Sequence, residues 1–574
     1  MCDAYAARAA VYVCFACAGM IGSMGHAAPP VVSERAQLVG LDASHATVFQ
    51  GPDVEFMGGG GAVGDFDLDG DQDLFVIGGS AGVDRLYIND GTGHFSEQGA
   101  AWGIARTHQG TGAAVGDYDN DGDLDLYVTS LGGPSTRAPG WNVLYRNNGN
   151  GSFTDVTSIA GVSIADAFQG DTFSGAFGDY DLDGDLDLAV AGWLGGSRLF
   201  RNNGDGTFTN VTLSALDADM STNRGFAPRF VDMDGDRYPE LLWVADFYTS
   251  NYFVNNTDGT FSTMTPGNGT GLDSNGMGNT IGDYNNDGVL DWYVSSRINH
   301  MMSSGSGNMM YMGGATPHVF VEDSVALGCN FGYWGWGVVS IDINHDGHLD
   351  IYETNGFTGS FEFDPAILYL NDGTGSFTDH APLCGMDVQS MGRGLLNADF
   401  DNDGDQDIVI FNNRQSMVYF RNDIDGSADA NAITIVLDTS AVADLAPNGF
   451  GTRVELTSAM GSQVRFMDGG SNYLSQSELS VHFGIGADDS ADLTIRWANG
   501  GVTNLVGVAP GRYTIRALAC PADLNGDGNL NFFDVSSFLT MYQNQHPQGD
   551  MNGDGQFNFF DVSAFLTAYQ GGCP

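Results

Sequence analysis

The sequence predicts a mainly β protein made of a seven-bladed β-propeller, a small β-sandwich-like domain and a small α-helical module with EF-hand-like loops. Three observations predict this fold class. An acidic loop recurs seven times at intervals of 51 to 62 residues, alternating apolar and polar residues follow the last copy, and a duplication with a 27-residue period ends the chain. The expected boundaries are residues 31–428 for the propeller, 429–517 for the β-domain and 520–574 for the C-terminal module.

Residues 1–27 have the pattern of a bacterial secretion signal. Arg8 gives a short positive start, residues 9–20 are apolar, and Gly25-His26-Ala27 forms a small-x-small cleavage site. A membrane anchor is the alternative, but the apolar run is short for a bilayer span. We therefore expect a secreted protein, extracellular or associated with the cell surface, with no membrane span after cleavage.

Four cysteines remain once the signal is removed, an even number in an oxidising compartment. Cys520 and Cys573 bracket the C-terminal module, so a bond between them would join its two ends. Cys329 and Cys384 fall at similar places in successive repeats, and the sequence leaves open whether they pair.

The charge of the chain excludes two classes of partner. Its 72 acidic residues outnumber 20 basic residues, and the formal net charge is −52. Nucleic acids and anionic membrane surfaces are bound through clustered Lys and Arg, so neither partner is expected. Half of the acidic residues lie in nine short loops, which indicates that they serve as metal ligands.

The seven repeats share one order of elements. Each acidic loop leads into an apolar strand, a second strand, a Gly-rich turn and a strand that begins with Phe. The Phe strand is missing after the seventh loop, whereas a related segment, Val31 to Leu41, precedes the first. We expect this N-terminal strand to complete the last blade, because ring closure hides exposed strand edges. An open solenoid is the alternative.

Small residues stand five and seven positions before every loop. Because positions two apart share one face of a strand, this face is expected to line the crowded axis of the ring. The alternative is chance, since 83 of the 574 residues are glycine. The residues are Gly60, Gly112, Ser174, Ala227, Gly278, Gly337 and Gly394, and Gly58, Gly110, Thr172, Gly225, Gly276, Gly335 and Gly392.

The loops have the form Asp-x-Asp-x-Asp-Gly-x-x-Asp and are predicted to bind about seven Ca²⁺ ions. Ca²⁺ takes six to eight oxygen ligands, and acids at positions 1, 3, 5 and 9 of a tight loop supply them. A solvated acidic turn is the alternative for any single loop. The candidate ligands are Asp65, Asp67, Asp69 and Asp73; Asp117, Asp119, Asp121 and Asp125; Asp179, Asp181, Asp183 and Asp187; Asp232, Asp234, Asp236 and Glu240; Asp283, Asn285, Asp287 and Asp291; Asp342, Asn344, Asp346 and Asp350; and Asp399, Asp401, Asp403 and Asp407.

The fourth loop departs from this pattern. Arg237 stands where glycine is expected, and Glu240 closes the loop in place of Asp. We expect it to be the weakest site or to be metal-free. The seven loops together resemble the FG-GAP and VCBS repeats of integrin-like propellers over about residues 36–425. The resemblance implies a seven-bladed propeller with Ca²⁺ in its blade hairpins, and it does not specify a ligand.

Three motifs in residues 429–517 occur in a characteristic order. They are Gly451-Thr452-Arg453-Val454, residues 469–476 and residues 482–486. Together they resemble the ASPIC/UnbV domain, which follows FG-GAP repeats in the cartilage acidic protein family. Ser471, Ser475 and His482 are not expected to be catalytic, because neither serine lies in a Gly-x-Ser-x-Gly nucleophile elbow.

The C-terminal module contains two twelve-residue loops with EF-hand ligand spacing, each followed by a short amphipathic helix. The apolar stripe of the first helix is Val535, Phe538, Leu539 and Tyr542, and that of the second is Val562, Phe565, Leu566 and Tyr569. Two further Ca²⁺ ions are expected. Their candidate ligands are Asp523, Asn525, Asp527, Asn529 and Asp534, and Asp550, Asn552, Asp554, Gln556 and Asp561.

This module resembles a type I dockerin, and its terminal Gly572-Cys573 resembles that of a bacterial subtype. The resemblance implies a cohesin-like or cell-surface docking partner. Phe532-Phe533 and Phe559-Phe560 stand where many dockerins have small polar residues that contact the partner, so the partner is expected to differ from a standard cohesin. A purely structural calcium-binding module is the alternative.

We therefore expect a secreted, calcium-binding, non-enzymatic binding or adhesion protein that is displayed on an extracellular surface or scaffold. Its candidate ligands are a glycan or an extracellular protein, contacted through Gln109, Asp171, Arg224, Asn275 and Trp334, which could equally be ordinary turn residues. The alternative is a calcium-dependent polysaccharide-active enzyme, a lyase or hydrolase. Such a lyase needs a base near a cation or metal, and no such cluster stands out in the sequence outside the loops.

Overall fold

A computed structural model describes residues 30–47, 53–132, 141–164, 171–193, 195–298, 305–424 and 431–572. The predicted signal at residues 1–27 and Cys573 lie outside these ranges, so the signal and the Cys520–Cys573 bond stay predictions. The fold is mainly β, with 39% strand and 10% helix. Cys329 is buried, and no disulfide joins it to Cys384. In the described part of the chain, no helix is long and apolar enough to cross a membrane.

The acidic loops belong to seven antiparallel sheets, and each loop joins the first strand of its sheet to the second. The strands are β1 (Val32–Glu34); β2 (Gly61–Gly64), β3 (Asp73–Val76), β4 (Arg85–Asn89) and β5 (Phe95–Glu97); β6 (Gly110–Gly116), β7 (Asp125–Ser130), β8 (Val143–Asn147) and β9 (Phe153–Asp155); β10 (Thr172–Gly178), β11 (Asp187–Gly192), β12 (Arg198–Asn202) and β13 (Phe208–Asn210); β14 (Gly225–Val231), β15 (Glu240–Ala245), β16 (Asn251–Asn255) and β17 (Phe261–Thr263); β18 (Asn279–Gly282), β19 (Asp291–Val294), β20 (Met309–Met312) and β21 (Val321–Glu322); β22 (Gly335–Ile341), β23 (Asp350–Asn355), β24 (Ile367–Asn371) and β25 (Phe377–Asp379); and β26 (Gly392–Ala398), β27 (Asp407–Asn412) and β28 (Val418–Asn422).

The seventh sheet takes its fourth strand from the N-terminal segment. Strand β1 pairs antiparallel with β28, with Val32 opposite Asn422 and Glu34 opposite Phe420. This is the pairing expected from the missing Phe strand after the seventh loop. It covers an edge of β28 that would otherwise expose unpaired backbone groups.

Neighbouring sheets pack face to face. The second strands read as nearly continuous apolar runs because both of their faces are covered, and β7 is buried along its whole length. Consecutive sheets share hydrophobic clusters along the chain. The first and seventh sheets also share one, which includes Val63, Leu74, Leu396 and Val409. Strand β2 contacts both β6 and β26.

Residues 431–516 form two further sheets with a common buried core that includes Ile433, Val454, Phe483 and Ile495. One sheet has the order β33-β29-β36 and the other β31-β30-β34-β35. Their strands are β29 (Asn431–Asp438), β30 (Arg453–Ser458), β31 (Gly461–Phe466), β33 (Val481–Gly486), β34 (Ala491–Arg496), β35 (Val502–Val508) and β36 (Gly511–Arg516), and β32 is Ser475–Gln476.

Strand β32 leaves these two sheets and pairs in parallel with β2, so residues 471–476, the inserted segment, lie among the first strands of the repeats. Tyr473 and Leu474 are fully buried there. A Cβ on Gly60 would lie 2.0 Å from the carbonyl oxygen of Leu474, and one on Gly394 would lie 2.2 Å from Ser475 Oγ. These two glycines are therefore required by the close approach of the inserted segment.

Hydrogen bonds hold the inserted segment against three different sheets. The Leu474 amide donates to Ser174 Oγ at 2.8 Å, and the Tyr473 hydroxyl donates to the carbonyl oxygen of Met57 at 2.7 Å. The Asn472 amide group donates to the carbonyl oxygen of Leu395 at 2.7 Å. The inserted segment therefore ties residues 431–516 to the repeats.

The helices in the described part of the chain are short. Four one-turn helices follow strands of the repeats, and two longer ones form the C-terminal module. They are α1 (Thr157–Ala160), α2 (Thr212–Ala215), α3 (Ser324–Leu327), α4 (Ala381–Cys384), α5 (Phe532–Gln543) and α6 (Phe559–Gly571), with 3-10 turns at Asp53–Phe56, Gly359–Phe361, Pro447–Gly449 and Pro547–Gly549.

Helices α5 and α6 each begin with a capping box and pack through one aromatic pair. The rings of Phe538 and Phe565 stack with centroids 4.4 Å apart. The predicted apolar stripes are wrong at one position in each helix, because Leu539 and Leu566 are each 45% exposed. Two short helices offer too little surface to cover the whole stripe, and these leucines remain at the surface.

Candidate metal sites

The first acid of each repeat loop is fixed by the loop's own backbone. In the first loop the Asp65 carboxylate accepts hydrogen bonds from the Asp69 and Gly70 amides at 3.1 and 3.0 Å. Gly70 has a φ of +98°, a left-handed conformation that suits glycine. The equivalent acids accept amide hydrogen bonds in every other loop, namely Asp117, Asp179, Asp232, Asp283, Asp342 and Asp399.

The acid at position 9 begins the second strand and is buried. Asp73 accepts hydrogen bonds from the Phe66 amide at 3.0 Å and the Asn89 amide at 2.9 Å, so it links the loop to the third strand. The equivalents are Asp125, Asp187, Glu240, Asp291, Asp350 and Asp407, each of which accepts from the amide of position 2.

The fold brings the acids at positions 1, 3 and 9 together in the first three loops. Their carboxylate oxygens lie within 4.8 Å of one another in the sets Asp65, Asp67 and Asp73; Asp117, Asp119 and Asp125; and Asp179, Asp181 and Asp187. In the fourth loop two sets are close, Asp232, Asp234 and Asp236, and Asp234, Glu240 and His318. The sets of the first three loops contain only oxygen ligands, which suit a hard divalent cation such as Ca²⁺.

Burial makes these carboxylates costly to ionise without a cation. Burial raises the pKa of Asp73 to about 8, that of Asp125 to about 9 and that of Asp179 to about 7. Neighbouring carboxylates in each loop raise these pKa values further, and backbone amides partly offset the effect. Because these folded-state pKa values lie above that of an unfolded Asp, ionisation destabilises the fold as pH rises from about 4 toward neutrality. A bound divalent cation would remove this cost.

In the two C-terminal loops the first acid is also fixed by backbone amides of its own loop. Asp523 accepts hydrogen bonds from the Gly526 and Gly528 amides at 3.0 and 2.8 Å. Asp550 repeats this with Gly553 and Gly555. The last candidate ligands, Asp534 and Asp561, are buried and also cap their helices, since each accepts from the amide of the N-cap asparagine. The first and last predicted ligands of each loop are thus fixed in position.

A set of asparagines that sequence reasoning missed connects adjacent loops. Each stands at the end of the third strand, and its side-chain amide donates to the carbonyl oxygen at position 2 of the loop in the preceding sheet. The signal was the recurrence of Asn at this place in six repeats, with Gly313 in the fifth. The pairs are Asn89 with Phe400, Asn147 with Phe66, Asn202 with Tyr118, Asn255 with Tyr180, Asn371 with Tyr284, and Asn422 with Ile343.

Replacing Asn89 with Ala is expected to lower the free energy of unfolding by about 1 to 3 kcal/mol. The change leaves the buried carbonyl of Phe400 without this donor, which bonds at 2.7 Å. Urea denaturation measures the loss. Asn150→Ala is the matched control, because this exposed turn residue bonds only locally, to Ser152. Equal effects of the two changes would contradict the assigned role of Asn89.

Four of the five residues predicted to contact a ligand, Asp171, Arg224, Asn275 and Trp334, interact with neighbouring turns. Asn275 donates to Asp246 at 2.6 Å, Asp171 accepts from the Gly132 amide at 2.8 Å, and the Trp334 ring stacks on Phe357 at 4.4 Å. The Arg224 guanidinium lies 5.0 Å from the ring centroid of Phe247. These contacts hold the four residues within turns of the repeats.

The side chains rejected as catalytic are also engaged in packing. Ser471 and Ser475 are buried in the inserted segment. The His482 ring bonds through Nε2 to the carbonyl oxygen of Gly404 at 3.2 Å, and burial lowers its pKa well below the usual value. Of these three side chains, His482 also lines a cavity of about 120 Å³, together with Asp342 and Arg465.

Two family models match the chain. The FG-GAP-like repeat matches residues 65–128, 135–190, 179–243 and 232–294, and the ASPIC and UnbV model matches residues 444–518. These matches confirm FG-GAP-like repeats within residues 65–294 and the ASPIC and UnbV segment at residues 444–518, whereas the dockerin-like module stays a prediction.

Cartilage acidic protein 1 of Mus musculus is 24% identical to this chain over 489 residues, which is 77% of this chain and 70% of that protein. Its counterparts in Homo sapiens and Xenopus tropicalis are each 26% identical, over 43% and 35% of this chain. These two alignments span 37% and 31% of the length of those proteins. The chain therefore contains FG-GAP-like repeats followed by an ASPIC and UnbV segment, and it has weak similarity to cartilage acidic protein 1.

Proposed function

We propose that this chain is a secreted, non-enzymatic binding protein whose repeat loops are loaded with calcium. The observation that carries the proposal is the convergence of the acids at positions 1, 3 and 9 within 4.8 Å in each of the first three loops. Such buried carboxylates need a cation to balance their charge. The same backbone bonds hold position 1 in the fifth, sixth and seventh loops, which supports a similar role there.

The proposal includes a closed seven-bladed ring. Three contacts between the first and the seventh sheets support it. These are the hydrophobic cluster shared by Val63 and Leu396, the hydrogen bond from Asn89 to Phe400, and the contact of β2 with β26. Strand β1, which comes from the N-terminus, also joins the seventh sheet. Calcium would stiffen the loops along one rim of this ring.

A binding role fits the site better than catalysis. The inserted segment occupies the space between the first strands, where a propeller enzyme would need a cavity for its substrate. On the face opposite the loops, Phe247 and Tyr248 are 56% and 67% exposed beside Arg224. Exposed aromatic rings next to an arginine suit a glycan or an extracellular protein as ligand.

The C-terminal module would hold the protein to a surface or scaffold. Phe532, Phe533, Phe559 and Phe560 are between 65% and 75% exposed, at equivalent places in the two helices. Exposed aromatic residues of this kind are typical of a partner surface. Calcium in the adjoining loops would order these helix starts, so docking should depend on calcium.

Changing both Phe532 and Phe559 to Ser is expected to weaken docking by at least about 2 kcal/mol, because buried aromatic anchors dominate interface energies. Surface plasmon resonance of the full chain over a panel of cohesin-like receptor domains, with and without EGTA, measures this. Leu213→Ser is the matched control, since Leu213 is 96% exposed and belongs to helix α2 of the repeats, outside the module. Receptor binding that survives both EGTA and the double change would refute the docking role.

A further inference from the structure

The turn before the fourth strand of the fifth sheet contains a residue that breaks the repeat pattern. His318 stands two positions before Phe320, where the first, second, third, fourth and sixth sheets have Gly93, Gly151, Gly206, Gly259 and Gly375. All six positions have a left-handed backbone, with a φ of 57° at His318. A side chain costs about 1 to 2 kcal/mol in this conformation. His318 therefore occupies a position at which glycine would be more stable.

At two of these glycines, Gly93 and Gly375, a side chain would point toward the loop of the preceding sheet. A Cβ on Gly93 would lie 3.2 Å from the Asp401 Cβ, and one on Gly375 would lie 3.6 Å from the Asn285 Cβ. Both neighbours occupy position 3 of their loops. His318 follows the same geometry, and its Nε2 lies 3.1 Å from the carboxylate of Asp234, which is position 3 of the fourth loop.

Three side chains from two sheets converge at this point. Ligand atoms of His318, Asp234 and Glu240 lie within 4.8 Å of one another. Glu240 is 1% exposed, whereas the side chains of His318 and Asp234 retain about 15% exposure. The site is thus largely enclosed but remains partly open to solvent at His318 and Asp234.

The second ring nitrogen of His318 is also held in place. Its Nδ1 lies 3.0 Å from the hydroxyl oxygen of Tyr252. When Nδ1 carries the proton and donates to this oxygen, the lone pair of Nε2 faces Asp234 and Glu240. Histidine ligands of metal ions are usually oriented in this way by a hydrogen bond from the nitrogen that does not bind the metal.

We propose that the fourth loop binds a borderline divalent ion of the Zn²⁺ type, with His318 Nε2 and the carboxylates of Asp234 and Glu240 as ligands. An imidazole nitrogen suits Zn²⁺, whereas Ca²⁺ selects oxygen ligands. Two departures from the repeat pattern meet at this site. Glu240 replaces Asp at position 9 of the fourth loop, and His318 replaces glycine in the turn that faces this loop. The proposal is independent of calcium binding by the other six repeat loops.

Metal analysis of the full chain tests the proposal. The protein is stripped with EDTA, equilibrated with micromolar Zn²⁺ in excess Ca²⁺, dialysed and measured by inductively coupled plasma mass spectrometry. We expect one Zn²⁺ per chain in the unaltered protein and none in His318→Gly, with the calcium content unchanged. His318→Gly is expected to fold, because glycine is the residue of the equivalent turns.

Two further variants separate a metal site from a simple His318–Asp234 ion pair. His94→Gly removes an exposed histidine from the equivalent turn of the first sheet and is expected to keep the Zn²⁺. Tyr252→Phe removes the oxygen that orients His318 and is expected to weaken Zn²⁺ binding on the order of 10- to 100-fold. Cobalt substitution should give visible absorption bands in the unaltered protein that His318→Gly lacks.

Absence of Zn²⁺ from the unaltered protein, or equal Zn²⁺ content in His318→Gly, would overturn this assignment. A chain that binds one Zn²⁺ but no Ca²⁺ would support it and refute the calcium proposal for the other loops. A chain that binds Ca²⁺ but no Zn²⁺ would refute the zinc proposal and support the calcium proposal. The two proposals therefore stand or fall separately.

Discussion

Removing calcium from the intact chain is expected to lower its thermal midpoint by about 10 °C or more. Each site with calcium at 100 times its dissociation constant adds about 2.7 kcal/mol, and several sites act together. Without the ion, buried acids such as Asp73 and Asp125 must either remain ionised at a cost or take up protons. Scanning calorimetry in calcium and in EGTA measures the shift.

A matched pair of variants assigns the effect to the loops. Asp73→Asn removes a buried candidate ligand and is expected to reduce the calcium stoichiometry by one. Asp71→Asn changes a half-buried acid of the same loop that bonds to Asn402 of the seventh loop, and it should leave the stoichiometry unchanged. A thermal midpoint that does not respond to millimolar Ca²⁺ would be evidence against calcium as the stabilising ion.

The second large effect is expected from Tyr473→Ala, with a loss of about 3 to 5 kcal/mol in the free energy of unfolding. Tyr473 is fully buried, its ring lies 5.2 Å from that of Trp336 and 5.5 Å from that of Phe226, and its hydroxyl bonds to Met57. The change leaves a cavity among side chains from three sheets. Chemical denaturation followed by tryptophan fluorescence measures the loss.

This variant should also separate the unfolding of the repeats from that of residues 431–516, so that one transition becomes two. Tyr248→Ala is the control, since Tyr248 is 67% exposed and its removal should change stability by less than about 1 kcal/mol. If Tyr473→Ala unfolded in a single transition with unchanged stability, the inserted segment would have no energetic role.

Local pattern was enough to predict the acidic loops and their strands. The alternation Asp-x-Asp-x-Asp encodes a tight turn within nine residues, and the apolar run after it encodes a covered strand, so both are visible in short windows. The pairing of β1 with β28 could also be inferred, because the missing Phe strand of the seventh repeat left one place open.

Features that depend on distant residues could not be read in this way. The sequence predicted crowding between Gly60 and Gly394, and a Cβ on Gly394 would indeed lie 2.9 Å from the Gly60 Cα. It could not predict that residues 474 and 475 also approach these two glycines. His318 lies 84 residues after Asp234, in the next repeat. The sequence therefore indicated only that the fourth loop is the weakest site or is metal-free. Leu539 and Leu566 fitted a helical stripe, yet two short helices cannot cover it.

The inserted segment delays the folding of the first repeats during synthesis. Strand β2 near the N-terminus pairs with β32, and β1 pairs with β28, so both pairings wait for residues made some 400 positions later. Contacts between such distant residues make folding slow, since a long chain must close on itself first. The first repeats therefore stay incomplete until residues 475 and 476 have been synthesised.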